Sequence, residues 1–157
     1  MKLSEILAPA LTQHRVSASS KKKVLEHIAH LVAGHYSFLN ETALLSNLNN
    51  RERLGSTGIG KGIAIPHCRL ENCDRVIGAF LTLRSPVEFD AIDNEPVDLL
   101  FVLVVPQEAT SEHLDLLGQL AQKFNDEDFC EEVRTADSSA QLFELITREG
   151  SKTDSQD

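Results

Sequence analysis

The feature that most constrains the fold is the run VDLLFVLVV at residues 97–105, which is apolar throughout except at Asp98. A strand with one face in water alternates apolar and polar residues, so an apolar run without alternation predicts a central strand covered on both faces. Pro106 follows the run and is expected to end the strand. Helices are predicted both before and after the strands along the chain. The sequence therefore predicts an α/β fold, with a mixed β-sheet flanked by helices on both sides in a single domain.

Hydrophobic periodicity and capping residues predict the other elements. Helices are expected at residues 20–33, 41–53, 111–124, 128–134 and 138–147. The expected N-caps are Ser19 or Ser20, Asn40, Thr110 and Asp137. Short strands are expected at residues 63–65, 76–83 and 87–89, with a turn at Ser85-Pro86 between the last two.

The chain has 157 residues, enough for one domain with a hydrophobic core. We expect this domain to span residues 1–148, and the tail at 149–157, EGSKTDSQD, has the composition of a disordered end. The N-terminus lacks the pattern of a signal peptide, and no apolar run is long enough to span a bilayer. These features predict a cytoplasmic protein without membrane insertion.

Charge and cysteine content exclude further classes of protein. The chain carries 24 acidic against 15 basic residues, a formal net charge of −9. Nucleic acid binding depends largely on neutralising phosphates with lysine and arginine, so this balance argues against a nucleic acid partner. Three cysteines are too few, and odd in number, for a disulfide framework. The consecutive lysines at residues 21–23 are interpreted as a solvated helix face.

A glycine-rich loop, GSTGIGKG, occupies residues 55–62 and almost matches the nucleotide-binding pattern G-x-x-x-x-G-K-[ST]. Gly62 stands where that pattern needs a hydroxyl for magnesium, and a helix precedes the loop where a strand should. The loop is then either a flexible connector or an anion cradle, since successive amides in such turns form anion-binding concavities. As a phosphate-binding loop, it would use these residues: Ser56, Thr57, Gly58, Ile59, Gly60 and Gly62.

The loop leads into a short strand and then Pro66-His67, which suggests that this histidine stands beside the cradle. A neutral imidazole can attack phosphorus through one nitrogen while the other carries a proton and needs an acceptor. Phosphoryl transfer otherwise needs mainly positioning and charge stabilisation. His67 is the candidate nucleophile, and Arg51 or Arg53 is the candidate cation at the loop entrance.

His113 is a second candidate, in the first turn of the helix that follows the apolar strand. Helix N-termini attract anions and disfavour an imidazolium, so His113 is expected to stay neutral and to donate a hydrogen bond. The carboxyl end of a central strand is also where ligands bind in open α/β sheets.

Structural alternatives remain open at this point. His67 could be a satisfied structural histidine, His113 an ordinary first-turn residue, and the two arginines complements to the end of their helix. A zinc site formed by His67, Cys68, Cys73 and His113 is conceivable, but it lacks the paired C-x-x-C spacing of structural zinc.

Three stretches, RERLGSTGIGKGIAIPH, FDAIDNEPVDLLFVLVVP and HLDLLGQLAQKF, resemble the nitrogen-regulatory EIIA proteins of the bacterial phosphotransferase system. This group lies within the fructose- and mannitol-type EIIA family, and the resemblance covers roughly residues 3–146. It implies the mannitol-type EIIA fold and phosphorylation of a histidine. The family's phosphorylated histidine falls on His67, its second active-site histidine on His113 and its active-site arginine on Arg51.

The resemblance also implies partners. The phosphoryl donor would be a phosphorylated HPr-type carrier, and the regulated partners would be transporters and sensor kinases of potassium homeostasis and nitrogen metabolism. No cofactor or metal is expected. One rival within the family is a sugar-specific EIIA component that passes phosphate to a permease. A rival of another class is a non-enzymatic binding or metal-binding module.

Cys68 departs from the resemblance, because members commonly carry glycine after the phosphorylated histidine. Its thiol narrows the space beside the imidazole and suggests redox sensitivity as a hypothesis.

Overall fold

The structure, a computed structural model, describes residues 1–109 and 112–148. The expected N-cap Thr110, the predicted helix start at Ser111 and the expected disordered tail at 149–157 lie outside the described residues. The helices are α1 (Leu3–Ile6), α2 (Lys21–His35), α3 (Glu41–Arg53), α4 (Glu112–Phe124), α5 (Glu127–Arg134) and α6 (Ser139–Thr147). The strands are β1 (Leu7–Val16), β2 (Gly58–Gly60), β3 (Ile63–Ala64), β4 (His67–Leu70), β5 (Ile77–Val87) and β6 (Val97–Pro106).

The strands form one mixed sheet in the order β1-β5-β6-β3-β2, and β4 also pairs with β6. β5 runs antiparallel to β6, whereas β1 is parallel to β5 and both β3 and β4 are parallel to β6. β6 is thus the central strand that the apolar run predicted, and its residues are buried except at Asp98 and Pro106, which are half-buried. Helices flank the sheet, so the predicted fold class is confirmed.

Aromatic rings link the centre of the sheet to α4. Phe80 of β5 pairs with Phe101 of β6 across the antiparallel ladder, with ring centroids 5.7 Å apart. Phe124, the last residue of α4, lies 6.0 Å from Phe80, and all three rings are buried. Burying rings of this size supplies much of the hydrophobic stabilisation of a small domain.

Two of the predicted helix caps, Ser20 and Asn40, are confirmed. The side chains of Ser20 and Asn40 accept hydrogen bonds from the amides of Lys23 and Ala43 at the starts of α2 and α3. The predicted N-cap Asp137 is wrong, because Ser138 caps α6 by accepting from the Gln141 amide. Serine and aspartate are equally good caps, so the sequence alone does not choose between neighbours.

Two strand predictions need correction. The turn expected at Ser85-Pro86 is absent, since β5 continues through both residues to Val87, and the separate strand at 87–89 is not formed. The pairing of β5 with β6 shifts register between Thr82 and Val87, and such irregular pairing accommodates a proline.

β1 was not predicted because Pro9 and several polar residues interrupt its pattern. Its place at the edge of the sheet makes that proline tolerable.

None of the described helices is both long enough and apolar enough to cross a membrane.

Candidate active site around His67

The fold brings three separated segments together around His67, the first residue of β4. Parallel pairing places His67 opposite Leu103 in the middle of β6. α3 packs against β4 and carries Arg51 in its last turn. α4 follows β6 and carries His113, whose electrostatic interaction with His67 lowers the pKa of His67. The site is therefore assembled by the sheet register and by the two helices next to it.

Both nitrogens of the His67 ring have a defined partner. Nδ1 lies 2.7 Å from the backbone oxygen of Ile65, and the Nε of Arg51 lies 3.3 Å from Nε2. A carbonyl oxygen can only accept a hydrogen bond, and a guanidinium can only donate one. The contacts therefore assign the ring proton to Nδ1 and leave a lone pair on Nε2.

The surroundings of His67 favour the neutral imidazole. Burial is the main cause that lowers its pKa, and the electrostatic interactions with Arg51 and His113 lower it further. The Ile65 carbonyl and the carboxylate of Glu52 act in the opposite direction. A neutral ring with a free lone pair is the form in which histidine acts as a nucleophile.

Arg51 and Arg53 have different environments. Arg51 also donates from Nη1 to the backbone oxygen of Gly55, at 2.8 Å, so it bridges the histidine and the start of the glycine-rich loop. Arg53 is exposed and donates to Asn50 in its own helix. Of the two candidate cations, it is Arg51 that the structure brings to His67.

The second histidine has an open hydrogen-bonding position. Nδ1 of His113 is buried and has no hydrogen-bond partner within residues 1–109 and 112–148. Buried polar atoms are almost always paired, so an exception in a folded protein calls for an explanation such as a missing ligand.

The glycine-rich loop forms regular structure. It contains β2, which makes a hairpin with β3, and the two-residue turn between them, Lys61-Gly62, has positive φ angles of 60° and 80°. Ser56 donates its hydroxyl proton to the backbone oxygen of Phe89, at 2.6 Å, and Thr57 donates its own to Glu52. Both hydroxyls are thus turned into the protein. The phosphate-binding role of the loop residues stays a prediction.

Glu52 was not predicted from the sequence as a site residue, and its side chain is only 6% exposed. Its carboxylate pairs with Lys21 at 3.0 Å and accepts from the Thr57 amide at 3.1 Å. Lys21 is correspondingly 20% exposed, which corrects its interpretation as part of a solvated face. An acid between two arginines at a helix end looks solvated in sequence, and only the packing of α2 against α3 buries it.

Cys68 and Cys73 are both buried, and neither is set up as a metal ligand. Burial raises the pKa of Cys68 to about 12, with a further contribution from Cys73, so its thiol stays protonated. A protonated thiol is a poor nucleophile and a poor metal ligand. In the part of the chain that the structure describes, no group of three or more histidine, cysteine or acidic side chains is placed to hold a metal ion.

Comparison with known proteins gives one family. Residues 5–149 match the family described as "Phosphoenolpyruvate-dependent sugar phosphotransferase system, EIIA 2". The chain is 47% identical to a "Nitrogen regulatory protein" of Pseudomonas aeruginosa over 93% of this chain and 95% of that protein.

Solved structures agree with this match. The nitrogen regulatory protein IIA-Ntr of Neisseria meningitidis superposes with a TM-score of 0.85 at 38% identity, covering 92% of this chain and 99% of that one. IIA mannitol of Escherichia coli has a TM-score of 0.69 at 20% identity, covering 84% and 92% of the two chains. At that identity the mannitol protein is similar in fold alone.

Proposed function

The chain belongs to the EIIA 2 family of the phosphoenolpyruvate-dependent sugar phosphotransferase system, whose components accept phosphate on a histidine, and we propose that its phosphoryl acceptor is His67. The observation that carries this proposal is the fixed tautomer of the ring. Ile65 holds the proton on Nδ1, and the Nε2 lone pair faces the cation of Arg51. This arrangement supplies a nucleophile and a positive charge at the same atom.

In the proposed reaction, Nε2 of His67 attacks the phosphorus of a phosphohistidine on an HPr-type carrier. A P–N bond forms at Nε2 while the P–N bond to the carrier breaks, and its electron pair returns to the carrier's imidazole. The guanidinium of Arg51 leaves Nε2 and binds the phosphoryl oxygens, where developing charge needs donors. The Ile65 carbonyl keeps the Nδ1 proton and stabilises the positive charge that the ring acquires.

His113 contributes the third charge-stabilising group. Its buried Nδ1 has no partner among residues 1–109 and 112–148, and it provides a hydrogen-bonding position that a phosphoryl oxygen can fill. The backbone of the glycine-rich loop, from Ser56 to Gly62, closes the other side of the phosphoryl group. The contacts with Ile65 and Arg51 hold the imidazole in the tautomer needed for attack before the carrier arrives.

We further propose that the protein is a regulator rather than a sugar carrier, located in the cytoplasm. The support is its 47% identity to a nitrogen regulatory protein, against 20% to the mannitol protein that shares its fold. Phosphorylation adds a charge near −2, which changes the field at the surface and can select between partners such as transporters and sensor kinases. If sugar phosphate forms when permease membranes are added to the phosphorylated protein, the sugar-specific alternative is correct instead.

The test of the acceptor compares wild type, His67→Ala and His30→Ala in the presence of phosphoenolpyruvate, an enzyme I homologue and an HPr-type carrier. His30 is an exposed control, away from the site on α2. Wild type and His30→Ala should acquire an acid-labile, base-stable phosphate, and His67→Ala should not. Equal labelling of all three proteins would exclude His67 as the acceptor.

A further inference from the structure

We propose that Glu52 is a positioning residue for the reaction at His67, anchored by Lys21 and acting through Thr57 and Ile65; this inference rests on the proposed function. The carboxylate does not touch the imidazole. It acts on the two groups that do, the Ile65 carbonyl and the Arg51 guanidinium.

The Glu52 carboxylate is held by contacts with Lys21 and Thr57. Oε1 of Glu52 accepts from Nζ of Lys21 at 3.0 Å and from the amide of Thr57 at 3.1 Å. Oε2 accepts from the Thr57 hydroxyl. Removing a carboxylate from water is costly unless its oxygens are paired, and here a cation and two protein donors provide that pairing.

Two hydrogen bonds connect the backbone of Thr57 to His67 through Ile65. The backbone oxygen of Thr57 accepts from the amide of Ile65 at 3.0 Å. The backbone oxygen of Ile65 then accepts from Nδ1 of His67 at 2.7 Å. Since Thr57 is itself only 4% exposed, it has little freedom to move away from this position. Glu52 therefore fixes the residue that holds the acceptor of the Nδ1 proton.

Arg51 precedes Glu52 in the last turn of α3. Glu52 binds Thr57, and Arg51 binds the backbone oxygen of Gly55, so α3 is tied twice to the same loop. Both partners of the His67 ring consequently depend on one junction between the helix and the loop. A displacement of about 1 Å at a reacting group can cost on the order of 100-fold in rate.

Lys21 contacts Phe89 as well as Glu52. Its Nζ lies 4.7 Å from the ring centroid of Phe89 and 3.4 Å from the backbone oxygen of the same residue. That oxygen also accepts the Ser56 hydroxyl. Lys21 thereby joins the start of α2, the end of α3 and the glycine-rich loop, and it is the cation that pairs with the Glu52 carboxylate.

The charge of Glu52 gives the experiment a direct signature. Besides burial, which lowers the pKa of His67 most, Arg51 and His113 lower this pKa and Glu52 raises it among the charged or titratable groups that the structure describes. Replacing Glu52 with glutamine removes the negative charge and retains most of the side-chain volume. The substitution should therefore lower the pKa of His67 and weaken its preference for the Nδ1–H tautomer.

The test measures phosphorylation of Glu52→Gln and Thr57→Val over a range of concentrations of a phosphorylated HPr-type carrier. We expect kcat to fall roughly 10- to 100-fold with KM unchanged, since positioning is lost and carrier docking is not. Nitrogen NMR of the unphosphorylated proteins should show a mixture of His67 tautomers in place of the single Nδ1–H form. Thr57→Val removes one donor without removing a charge, so it serves if Glu52→Gln does not fold.

Glu132→Gln is the matched control. Glu132 lies on α5 and is also a carboxylate in an ion pair, with Arg148 at 3.3 Å. Its substitution removes one negative charge, as Glu52→Gln does. This variant should keep both its kcat and the tautomer of His67.

Three results would overturn the inference: unchanged kcat and tautomer in both test variants, a change in KM alone, or an equal loss of kcat in Glu132→Gln. Failure of the proposed function looks different, because wild type itself would then acquire no phosphate that depends on His67.

Discussion

The tautomer of His67 is set by the two hydrogen bonds that its ring makes. A histidine on the surface exchanges its proton between both nitrogens and titrates near neutral pH. In this protein the Ile65 carbonyl fixes the Nδ1 proton, while burial and Arg51 disfavour a second proton on Nε2. The features on which the proposed attack on phosphorus depends should therefore be measurable as an effect of pH on folding.

We expect the free energy of unfolding to decrease as the pH falls through about 6.5, and the decrease to be smaller in His67→Gln. The pKa of His67 is lowered in the folded state, so between the folded and unfolded pKa values the unfolded chain binds the proton and the folded protein does not. Protonation thus favours unfolding in that interval, and its effect is absent above it. Urea denaturation at pH 7.5, 6.5 and 5.5 measures the difference.

His27, whose pKa burial also lowers, is present in both proteins and contributes equally to both pH profiles. Identical profiles for wild type and His67→Gln would show that the ring is not protected from protonation in the folded state.

At the scale of elements, local pattern predicted the structure where each segment satisfies its own needs. β6 was recognisable because burial on both faces requires a continuous apolar run, and α2 and α3 because serine and asparagine cap them. β1 was not recognisable, since its pairing with β5 stabilises a segment that contains a proline. A strand at a sheet edge depends on its neighbour more than on its own sequence.

The hairpin of β2 and β3 offers a prediction at the same scale. A Cβ atom at Gly58 would lie 2.8 Å from Cβ and 3.0 Å from Cα of Ala91, which is buried and cannot move aside as a flexible side chain would. Gly58→Ala should therefore destabilise the protein by about 1–3 kcal/mol, as overpacking does. Thermal or urea unfolding measures the change.

Gly34→Ala is the matched control, because a Cβ at this position in α2 meets no atom within 4 Å among the described residues. It should stabilise the protein by about 0.5–1 kcal/mol, the difference in helix propensity. If Gly58→Ala were as stable as wild type, the close approach of the hairpin to Ala91 would not limit residue size.

At the scale of the whole molecule, the site shows which candidate residues a sequence can reveal. His67, His113 and Arg51 were proposed from residue type, position in predicted elements and resemblance to a family. Glu52 was not, because its proposed role comes from burial between α2, α3 and the loop. Nor could the sequence show that the hydroxyls of Ser56 and Thr57 face inward. Contacts that depend on the packing of three elements are not encoded in any one of them.

The core of the sheet supports all of these elements at once, which Phe80→Ala should demonstrate. Phe80 is fully buried, and its ring joins β6 through Phe101 and α4 through Phe124. Removing it leaves a cavity between the sheet and the helix that carries His113, at an expected cost of about 3–5 kcal/mol. Urea unfolding followed by circular dichroism and by tyrosine fluorescence should give coincident, single transitions at a lower urea concentration.

Phe38→Ala is the control for aromatic content, since Phe38 is exposed and its ring contacts only Tyr36 and the guanidinium of Arg75 among the ring interactions of the described residues. It should cost about 1 kcal/mol or less.

At urea concentrations where Phe80→Ala remains folded, His67 of this variant should still accept phosphate, because the Phe80 ring lies in the core and not in the site. Separate transitions by circular dichroism and by tyrosine fluorescence would instead mean that the helices unfold independently of the sheet. The site would then be held by local contacts such as the Lys21–Glu52 pair.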